Sequence, residues 1–233
     1  MNQRSEFAVD VSDLVKVYRA GSIRFTALDG VSLRVKNGEM VSIVGPSGSG
    51  KTTLLNLIGL LDRPTRGKIF IDGIEVSRLD ENRKSIVRNK KIGFVFQTYN
   101  LIHRLTAIEN VQLPLIASGM APDKRLQLAK KMLTSVGLSS KFFNHPYELS
   151  AGEQQRVAIC RALIADPTLI LGDEITGNVD TKTSVQIMEL LKEINRTAGR
   201  TFVLVTHNLE LAREAHRIVY IRDGMIEKEE VLN

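Results

Sequence analysis

Apolar and polar residues alternate over positions 31–35, which is typical of a half-buried strand. Residues 9–17 are rich in β-branched side chains and predict an earlier strand. The uninterrupted apolar run at 40–44 predicts a buried strand, which leads into a glycine-rich turn and a helix over 51–61. Short apolar runs predict two further strands, one with a turn at 68–73 and one at 92–96.

The pattern changes between residues 106 and 149, where apolar residues recur at helical spacing and three prolines interrupt them. This segment predicts a helical lobe beside the β-rich part, and a further helix follows over 150–165. Strands and helices then alternate, which indicates parallel β-α units: a strand at 169–171, a helix at 182–195 and a strand at 202–205, before two short strands at 218–221 and 225–227. We expect one compact α/β unit with a helical insertion.

Length and apolar content argue against a membrane span. The 233 residues suffice for one sizeable domain. No apolar run reaches the roughly 18 residues that a membrane-crossing helix requires. Residues 1–11 contain no apolar core of signal-peptide length. We therefore expect a soluble chain made in the cytosol, which can still dock on a membrane-spanning partner.

The net charge of +6 suits anionic ligands such as nucleotide phosphates, lipid headgroups or nucleic acid. The densest basic stretch, at residues 83–91, contains no aromatic residue, so it does not predict a stacking surface for single-stranded nucleic acid. We interpret this stretch as a solvated face and expect no nucleic-acid partner.

Residues 45–52 match the phosphate-loop pattern G-x-x-x-x-G-K-[ST] at every fixed position, between a buried strand and a helix. In such a loop, backbone N–H groups and the helix N-terminus surround phosphate oxygens. Lys51 is expected to reach the β- and γ-phosphates, and Thr52 to hold Mg²⁺. A chance Gly/Ser turn is the alternative, and the strand–helix context disfavours it. The predicted nucleotide-binding residues here are Gly45, Pro46, Ser47, Gly48, Ser49, Gly50, Lys51, Thr52 and Thr53.

A second acidic element ends the apolar strand at 169–171, where Asp173 and Glu174 stand side by side. Strand ends beside the phosphate loop of a parallel sheet face the ligand. Asp173 is expected to hold the Mg²⁺ shell, and Glu174 to accept a proton from the attacking water. An ordinary strand-terminal turn would explain the pair if no phosphate loop preceded it.

Taken together, these motifs resemble the ATP-binding subunits of ABC transporters. Residues 149–157, LSAGEQQRV, resemble the family's LSGGQ signature, and Ser150 with Glu153 also forms a capping-box pattern. Phosphate loop, glutamine, signature, acidic pair and histidine occur in the family's order. Gln97 resembles the Q-loop glutamine, His207 the switch histidine, and residues 178–180 the D-loop, while Tyr18 resembles the aromatic residue that stacks on adenine.

The resemblance implies a P-loop NTPase core of mostly parallel sheet with helices, an N-terminal antiparallel β part and a helical lobe. Residues 1–233 then form one ABC ATPase domain, with a helical subdomain at approximately 98–165 inserted in a RecA-like core. The implied catalytic residues are Glu174, His207 and Gln97, and Gln97 also joins Thr52 and Asp173 at Mg²⁺. Tyr18, Ser150, Ala151, Gly152 and Glu153 are implied to bind ATP.

The resemblance also implies partners and a location. The chain is expected to hydrolyse ATP as a homodimer that sandwiches nucleotide, bound to integral membrane transporter subunits at the inner face of the cell membrane. Three segments point to the subgroup of lipoprotein-release and macrolide-export systems, namely residues 59–73, 94–102 and 105–115. The membrane subunits choose the cargo, so the sequence does not identify it.

Three positions depart from the family pattern near the site. Ala151 replaces a glycine, and its methyl is expected to crowd the phosphate if its φ is positive. Glu153 replaces a glutamine and adds negative charge, although it suits the helix dipole. Ile175 stands where proline is usual, after the milder change at Gly172, and is expected to loosen the turn.

Two other classes remain as alternatives. Nucleic-acid machines with this ATPase head insert a long coiled coil between the glutamine and the signature, whereas only about fifty residues separate Gln97 from Ser150 here. A translation factor of this type would carry two heads in one chain. A regulatory module that binds ATP without hydrolysing it is disfavoured by Glu174 and His207, while Ala151 and Ile175 leave it open.

Overall fold

The computed structural model describes residues 5–21 and 23–232, so the expectation about the chain start falls partly on residues outside the described ranges. The ten strands are β1 (Phe7–Ala20), β2 (Ile23–Lys36), β3 (Met40–Val44), β4 (Arg66–Ile71), β5 (Ile74–Glu75), β6 (Ile92–Phe96), β7 (Leu169–Asp173), β8 (Thr201–Val205), β9 (Arg217–Arg222) and β10 (Met225–Val231). The helices are α1 (Lys51–Ile58), α2 (Glu81–Lys91), α3 (Ala107–Ala117), α4 (Pro122–Ser135), α5 (Ala151–Leu163), α6 (Thr181–Ala198) and α7 (Leu209–Ala212), with a 3₁₀ turn at Pro146–Glu148.

The strands form two sheets. The N-terminal sheet is antiparallel, in the order β2-β1-β4-β5. The second sheet has the order β10-β9-β3-β8-β7-β6 and is parallel except for β10. This arrangement confirms the predicted fold class. Because β3, β6, β7 and β8 run the same way, their carboxyl ends meet at one edge of the sheet, where a ligand is expected.

Helix α1 lies between the two sheets. Its side chains Leu54, Leu55, Leu57 and Ile58 are all buried, in one cluster with residues of both sheets. The polar side chains of Thr52, Thr53 and Asn56 are exposed or half-buried, so the apolar residues define the face that packs between the sheets. The helix ends at Ile58, three residues earlier than predicted, and Leu60 has a non-helical φ of 59°. Gly59 lies so close to Phe94 that a Cβ there would be 2.1 Å from the ring.

Helices α3, α4 and α5 pack on one another around a separate apolar cluster, as the helical periodicity predicted. Each begins with a defined signal: Thr106 and Glu109 form a capping box on α3, and Pro122 opens α4. Helix α5 belongs to both halves of the molecule. Its residues Ile159 and Ala162 join a third cluster with the parallel sheet and α6.

The basic stretch forms helix α2, which the apolar pattern did not reveal. Asp80 caps its first turn by accepting a hydrogen bond from the Arg83 N–H at 2.8 Å. The interpretation as a solvated face is wrong for Lys84, which is only 2% exposed and lies 3.5 Å from Glu81. A long lysine side chain can bury its methylene stem while its ammonium keeps a charged partner.

Across residues 5–21 and 23–232, no helix is long and apolar enough to cross a membrane.

Candidate active site

The parallel sheet brings the predicted phosphate loop and acidic pair together. The loop follows β3, the carboxylates end β7, and β8 lies between those two strands. The Thr52 hydroxyl donates to Asp173 Oδ1 at 3.4 Å, which links the start of α1 to the end of β7. Phe96 is the partner of Asp173 on β6, so Gln97 leaves the same edge of the sheet.

The loop at 45–50 has the shape that phosphate binding needs. Gly50 has φ 102°, and a Cβ there would lie 2.5 Å from the carbonyl oxygen of Ala27. A Cβ at Gly45 would overlap the carbonyl oxygen of Ile221 at 2.0 Å. Both positions therefore require glycine. Close packing against Ile221 and Ala27 thus holds the loop at the N-terminus of α1, where backbone N–H groups favour an anion.

Lys51 and Ser49 supply polar groups inside the loop. The Lys51 ammonium donates to the carbonyl oxygens of Gly45 and Pro46 at 2.9 and 2.8 Å, and the residue is only 8% exposed. An ammonium has three protons, so one is left for a ligand oxygen. Within the described residues, the buried Ser49 hydroxyl has no hydrogen-bond partner. A buried unpaired hydroxyl is costly, and both groups fit a polyphosphate.

Thr52 and Asp173 fit a Mg²⁺ ion, which prefers carboxylate, hydroxyl and phosphate oxygens. Partial burial and repulsion from Glu174 raise the pKa of Asp173, while the Thr52 hydroxyl and the Lys51 ammonium oppose that rise. A nearby cation favours the ionised form of such a carboxyl group. The two side chains therefore have both the chemistry and the proximity of a shared metal site.

Glu174 and His207 form a close polar pair in the site. His207 Nδ1 lies 2.8 Å from Glu174 Oε2, and the His207 backbone N–H also donates to that oxygen at 3.4 Å. Glu174 has φ 46°, an uncommon conformation for a residue other than glycine, and its own N–H donates to the Val205 carbonyl at 2.9 Å. The hydrogen bond to β8 thus fixes the Glu174 backbone in this uncommon conformation, with the carboxylate beside the histidine.

Gln97 lies beside this pair but does not bond to the proposed metal ligands. A Cβ at Gly177 would lie 2.8 Å from its side-chain nitrogen, and Asn178 donates to its backbone oxygen at 2.9 Å. In the described part of the chain, no hydrogen bond joins the Gln97 amide to Thr52 or Asp173. The segments predicted as Q-loop and D-loop therefore contact each other.

The signature residues lie at the start of α5. The Ser150 hydroxyl accepts from the Glu153 N–H at 3.3 Å, and the Glu153 carboxylate accepts from the Ser150 N–H at 2.8 Å. This is the capping box that the sequence predicted. The backbone hydrogen bond from Ser150 holds the pKa of Glu153 below its usual range. The added negative charge is therefore directed to the positive end of its own helix.

Alanine at position 151, where the family has glycine, strains the backbone less than expected. Ala151 is the first residue of α5 and has the helical conformation with negative φ, so its methyl causes no backbone strain. The neighbouring Gly152 is the tight position. A Cβ there would lie 2.6 Å from Thr183 Cγ2, so glycine lets the signature helix approach the start of α6.

Gly172 and Ile175 compensate for each other. A Cβ at Gly172 would lie 2.8 Å from Ile175 Cγ2 and 2.7 Å from Leu204 Cδ2. Ile175 is buried in the cluster around β7 and β8. The isoleucine that replaces the usual proline thus occupies the space that glycine leaves, and packing fixes the turn after Glu174.

Tyr18 lies next to the start of α1. Its hydroxyl donates to Asp62 Oδ2 at 2.9 Å. Burial and this hydrogen bond raise the pKa of the Tyr18 phenol, while the nearby Thr53 hydroxyl opposes the rise. Tyr18 is 40% exposed, which leaves side-chain surface for a planar ligand beside the phosphate loop.

The structure gathers most of the predicted residues, with one separation. Within the described residues, no hydrogen bond or ion pair connects the signature residues 150–153 with the phosphate loop 45–53. The sequence also left out three contributors: Lys16 and Asp62 beside Tyr18, and Arg161, which donates to the carbonyls of Tyr99 and Asn100 after Gln97. No motif marks these three, because they act through contacts between distant segments.

One edge of a parallel sheet thus combines a glycine-rich loop suited to phosphate with two adjacent carboxylates, which is the arrangement typical of a P-loop nucleotide hydrolase. Residues 28–177 match the family described as ABC transporter.

Similar proteins agree with that match. The lipoprotein-releasing system ATP-binding protein LolD of Bordetella avium is 46% identical over 94% of this chain and 95% of LolD. The macrolide export ATP-binding/permease protein MacB of Syntrophobacter fumaroxidans is 46% identical over 95% of this chain and 31% of MacB. The dimeric post-hydrolysis structure of the ATP-binding cassette MJ0796 of Methanocaldococcus jannaschii, bound to ADP and Pi, has a TM-score of 0.90 at 48% identity, over 97% of this chain and 99% of that chain.

The chain therefore belongs to the ABC transporter ATP-binding family, as the resemblance predicted. It is an ATPase subunit that uses ATP and Mg²⁺. The regulatory and nucleic-acid alternatives are not favoured.

Proposed function

We propose that the chain energises a membrane transporter of the lipoprotein-release or macrolide-export type by ATP-driven closure of a homodimer. One observation carries this proposal: Lys51, the Thr52–Asp173 contact and the Glu174–His207 pair lie at one edge of the parallel sheet. The names of LolD and MacB support the transporter type.

Each side chain has a distinct role in this proposal. Lys51 and the loop N–H groups bind the phosphates, and Thr52 with Asp173 holds Mg²⁺, which neutralises charge on the phosphates when bound. Glu174 accepts a proton from the attacking water, and His207 keeps the carboxylate oriented through its 2.8 Å contact. Gln97 lies against the D-loop, where it senses movement of the helical lobe.

The second half of the nucleotide site comes from the partner subunit. Ser150, Ala151, Gly152 and Glu153 form a capped helix start, which is an anion-binding feature, yet they do not contact the phosphate loop of their own chain. A two-fold dimer places this helix start of each subunit over the γ-phosphate held by the other. Closure then excludes water from both sites at once.

The helical subdomain, approximately residues 98–165, carries the transporter contact in this proposal. A cleft of about 720 Å³ separates its helix α3 from the core. The cleft is lined by apolar and basic side chains, which include Ile86, Phe94, Leu113, Pro114 and Arg161. Docking there on integral membrane subunits would hold the chain at the inner face of the cell membrane.

The experiment that tests the hydrolytic role compares Glu174→Gln with the unchanged chain. Loss of a general base typically lowers turnover by about 10²–10⁴-fold. We expect that loss with unchanged Mg·ATP affinity, measured by phosphate release and calorimetry. Arg66→Gln serves as a matched control, because Arg66 lies on β4 in an exposed ion pair with Asp13. Near-normal turnover in Glu174→Gln would remove Glu174 from this role.

A further inference from the structure

Two residues that no motif predicted, Lys16 and Asp62, contact Tyr18. The Lys16 ammonium lies 4.6 Å from the centroid of the Tyr18 ring, over its face. The same ammonium donates to Asp62 Oδ1 at 2.7 Å and to the Arg63 carbonyl at 2.8 Å. Asp62 in turn accepts the Tyr18 hydroxyl on its other oxygen, at 2.9 Å. The ring is therefore held at its face and at its hydroxyl.

The burial of Lys16 distinguishes the two faces of the ring. The Lys16 side chain is only 11% exposed, whereas Tyr18 is 40% exposed. The ammonium therefore lies on the protein side of the ring, and the opposite face is the one open to solvent. Because the ammonium lies over the Tyr18 ring and the Lys16 side chain is largely covered, Lys16 is not placed to bind the nucleotide itself.

Asp62 makes the arrangement rigid before any ligand arrives. Although partial burial opposes the effect, hydrogen bonds from Lys16, the Arg63 backbone and Tyr18 hold the pKa of Asp62 below its usual range. A carboxylate in that state stays ionised and keeps both its lysine and its tyrosine partner at neutral pH. The anchored ring has little rotamer freedom left to lose on binding.

We propose that Lys16, through Asp62, is a positioning residue for the nucleobase: it fixes the Tyr18 ring with its outer face presented for stacking. The inference rests on the proposed role of Tyr18 in stacking on adenine. The Lys16 cation is also attracted to the negatively polarised face of the Tyr18 ring by a cation–π interaction. Lys16 acts on the base only through Tyr18, so its effect requires the ring.

The alternative is that Lys16 and Asp62 only tie β1 to the segment after α1. In that case Lys16→Met would lower thermal stability and leave nucleotide affinity unchanged. A loss of affinity of the same size with and without Tyr18 would also support this alternative. A loss of general electrostatic attraction would likewise not depend on Tyr18. A double-mutant cycle separates these cases from positioning.

The cycle uses Tyr18→Ala, Lys16→Met and the double variant, with Mg·ADP affinity measured by isothermal titration calorimetry. Tyr18→Ala is expected to weaken binding about fivefold, the range of aromatic stacking. Lys16→Met alone is expected to weaken binding about threefold. The double variant is expected to bind as Tyr18→Ala does, because Lys16 acts only through the ring. Lys16→Arg should restore most of the affinity, since an arginine guanidinium also lies favourably over an aromatic face.

The control Lys68→Met removes one positive charge from an exposed position on the neighbouring strand β4, and it should leave the affinity unchanged. If Tyr18→Ala binds normally, the proposed stacking role fails, and with it the basis of this inference. If Tyr18→Ala weakens binding but Lys16→Met does not, or the two losses simply multiply, the positioning role alone is overturned. Thermal melting without nucleotide shows whether each variant is folded.

Discussion

The two halves of the proposed nucleotide site differ in how complete they are within one chain. The core half, around Lys51, Asp173 and Glu174, is cross-linked by contacts between neighbouring strand ends and the first turn of α1. In the signature half, Ser150 and Glu153 hydrogen-bond to each other at the start of α5. The Glu153 carboxylate also lies 3.8 Å from the Lys141 ammonium in the same lobe. We therefore propose that the core half binds nucleotide within one chain, whereas the signature half acts on the nucleotide of a second copy.

The packing beneath the two halves shows the same contrast. The core half rests on β3, β7 and β8, which are buried along almost their whole length. The signature helix touches this core at Gly152, against Thr183, and through Ile159 and Ala162. Movement of the helical lobe would therefore change where the signature points while the phosphate loop keeps its shape.

The largest expected difference between the two halves is in Mg·ADP affinity, which Lys51→Met should lower strongly. Hydrogen bonds to charged groups contribute about 1.5–3 kcal/mol each, so the isolated chain should lose roughly ten- to hundredfold in Mg·ADP affinity. Ser150→Ala is the matched change in the other half, and it should leave that affinity unchanged. Calorimetry at concentrations where the chain is monomeric checks both. Equal losses in the two variants would mean that the signature already contributes within one chain.

Gly172→Ala tests the packing of the core half. The added methyl meets Ile175 and Leu204 at less than contact distance, and such overpacking typically costs about 1–3 kcal/mol of unfolding free energy. Ile175→Pro should relieve part of this cost, because it removes the side chain that fills the space. Urea unfolding of both single variants and the double variant gives the coupling. Strictly additive costs would contradict the compensation between Gly172 and Ile175.

Ser150→Ala should have the smallest effect on the folded chain. Removing an N-cap side chain typically costs about 1 kcal/mol of stability. Here the Glu153 N–H loses its acceptor, the Ser150 hydroxyl. We expect a small fall in melting temperature together with a marked loss of ATP-induced dimerisation. Ser135→Ala is a comparison at the end of α4, where the hydroxyl donates to the Met132 carbonyl of its own helix. Dimerisation unaffected by Ser150→Ala would show that the serine does not contact the partner's nucleotide.

The sequence predicted the parts of the site that lie in contiguous motifs. The phosphate loop, the acidic pair and the capping box each occupy a few consecutive residues, and their local chemistry determines their shape. The pattern also gave the α/β class, because buried parallel strands are continuous apolar runs. It did not reveal α2, whose surface is mostly charged and whose only apolar residues are Ile86 and Val87.

The remaining contributors depend on contacts across long sequence separations. Lys16 and Asp62 are 46 positions apart, and Arg161 holds carbonyls 61 and 62 positions away. The concern about Ala151 also needed the backbone angle, which places it inside the first turn of α5. For Gly172 and Ile175, the sequence showed two separate departures, and only the packing shows that they form a pair.

The most direct test of the composite site is the oligomeric state of the Glu174→Gln variant with each nucleotide. Two-fold pairing through the γ-phosphate predicts that this variant elutes as a dimer in Mg·ATP and as a monomer in Mg·ADP, because only the triphosphate reaches the partner's signature helix. Size-exclusion chromatography with light scattering measures the mass directly. The same mass with both nucleotides, whether monomer or dimer, would contradict the claim that ATP joins the two halves.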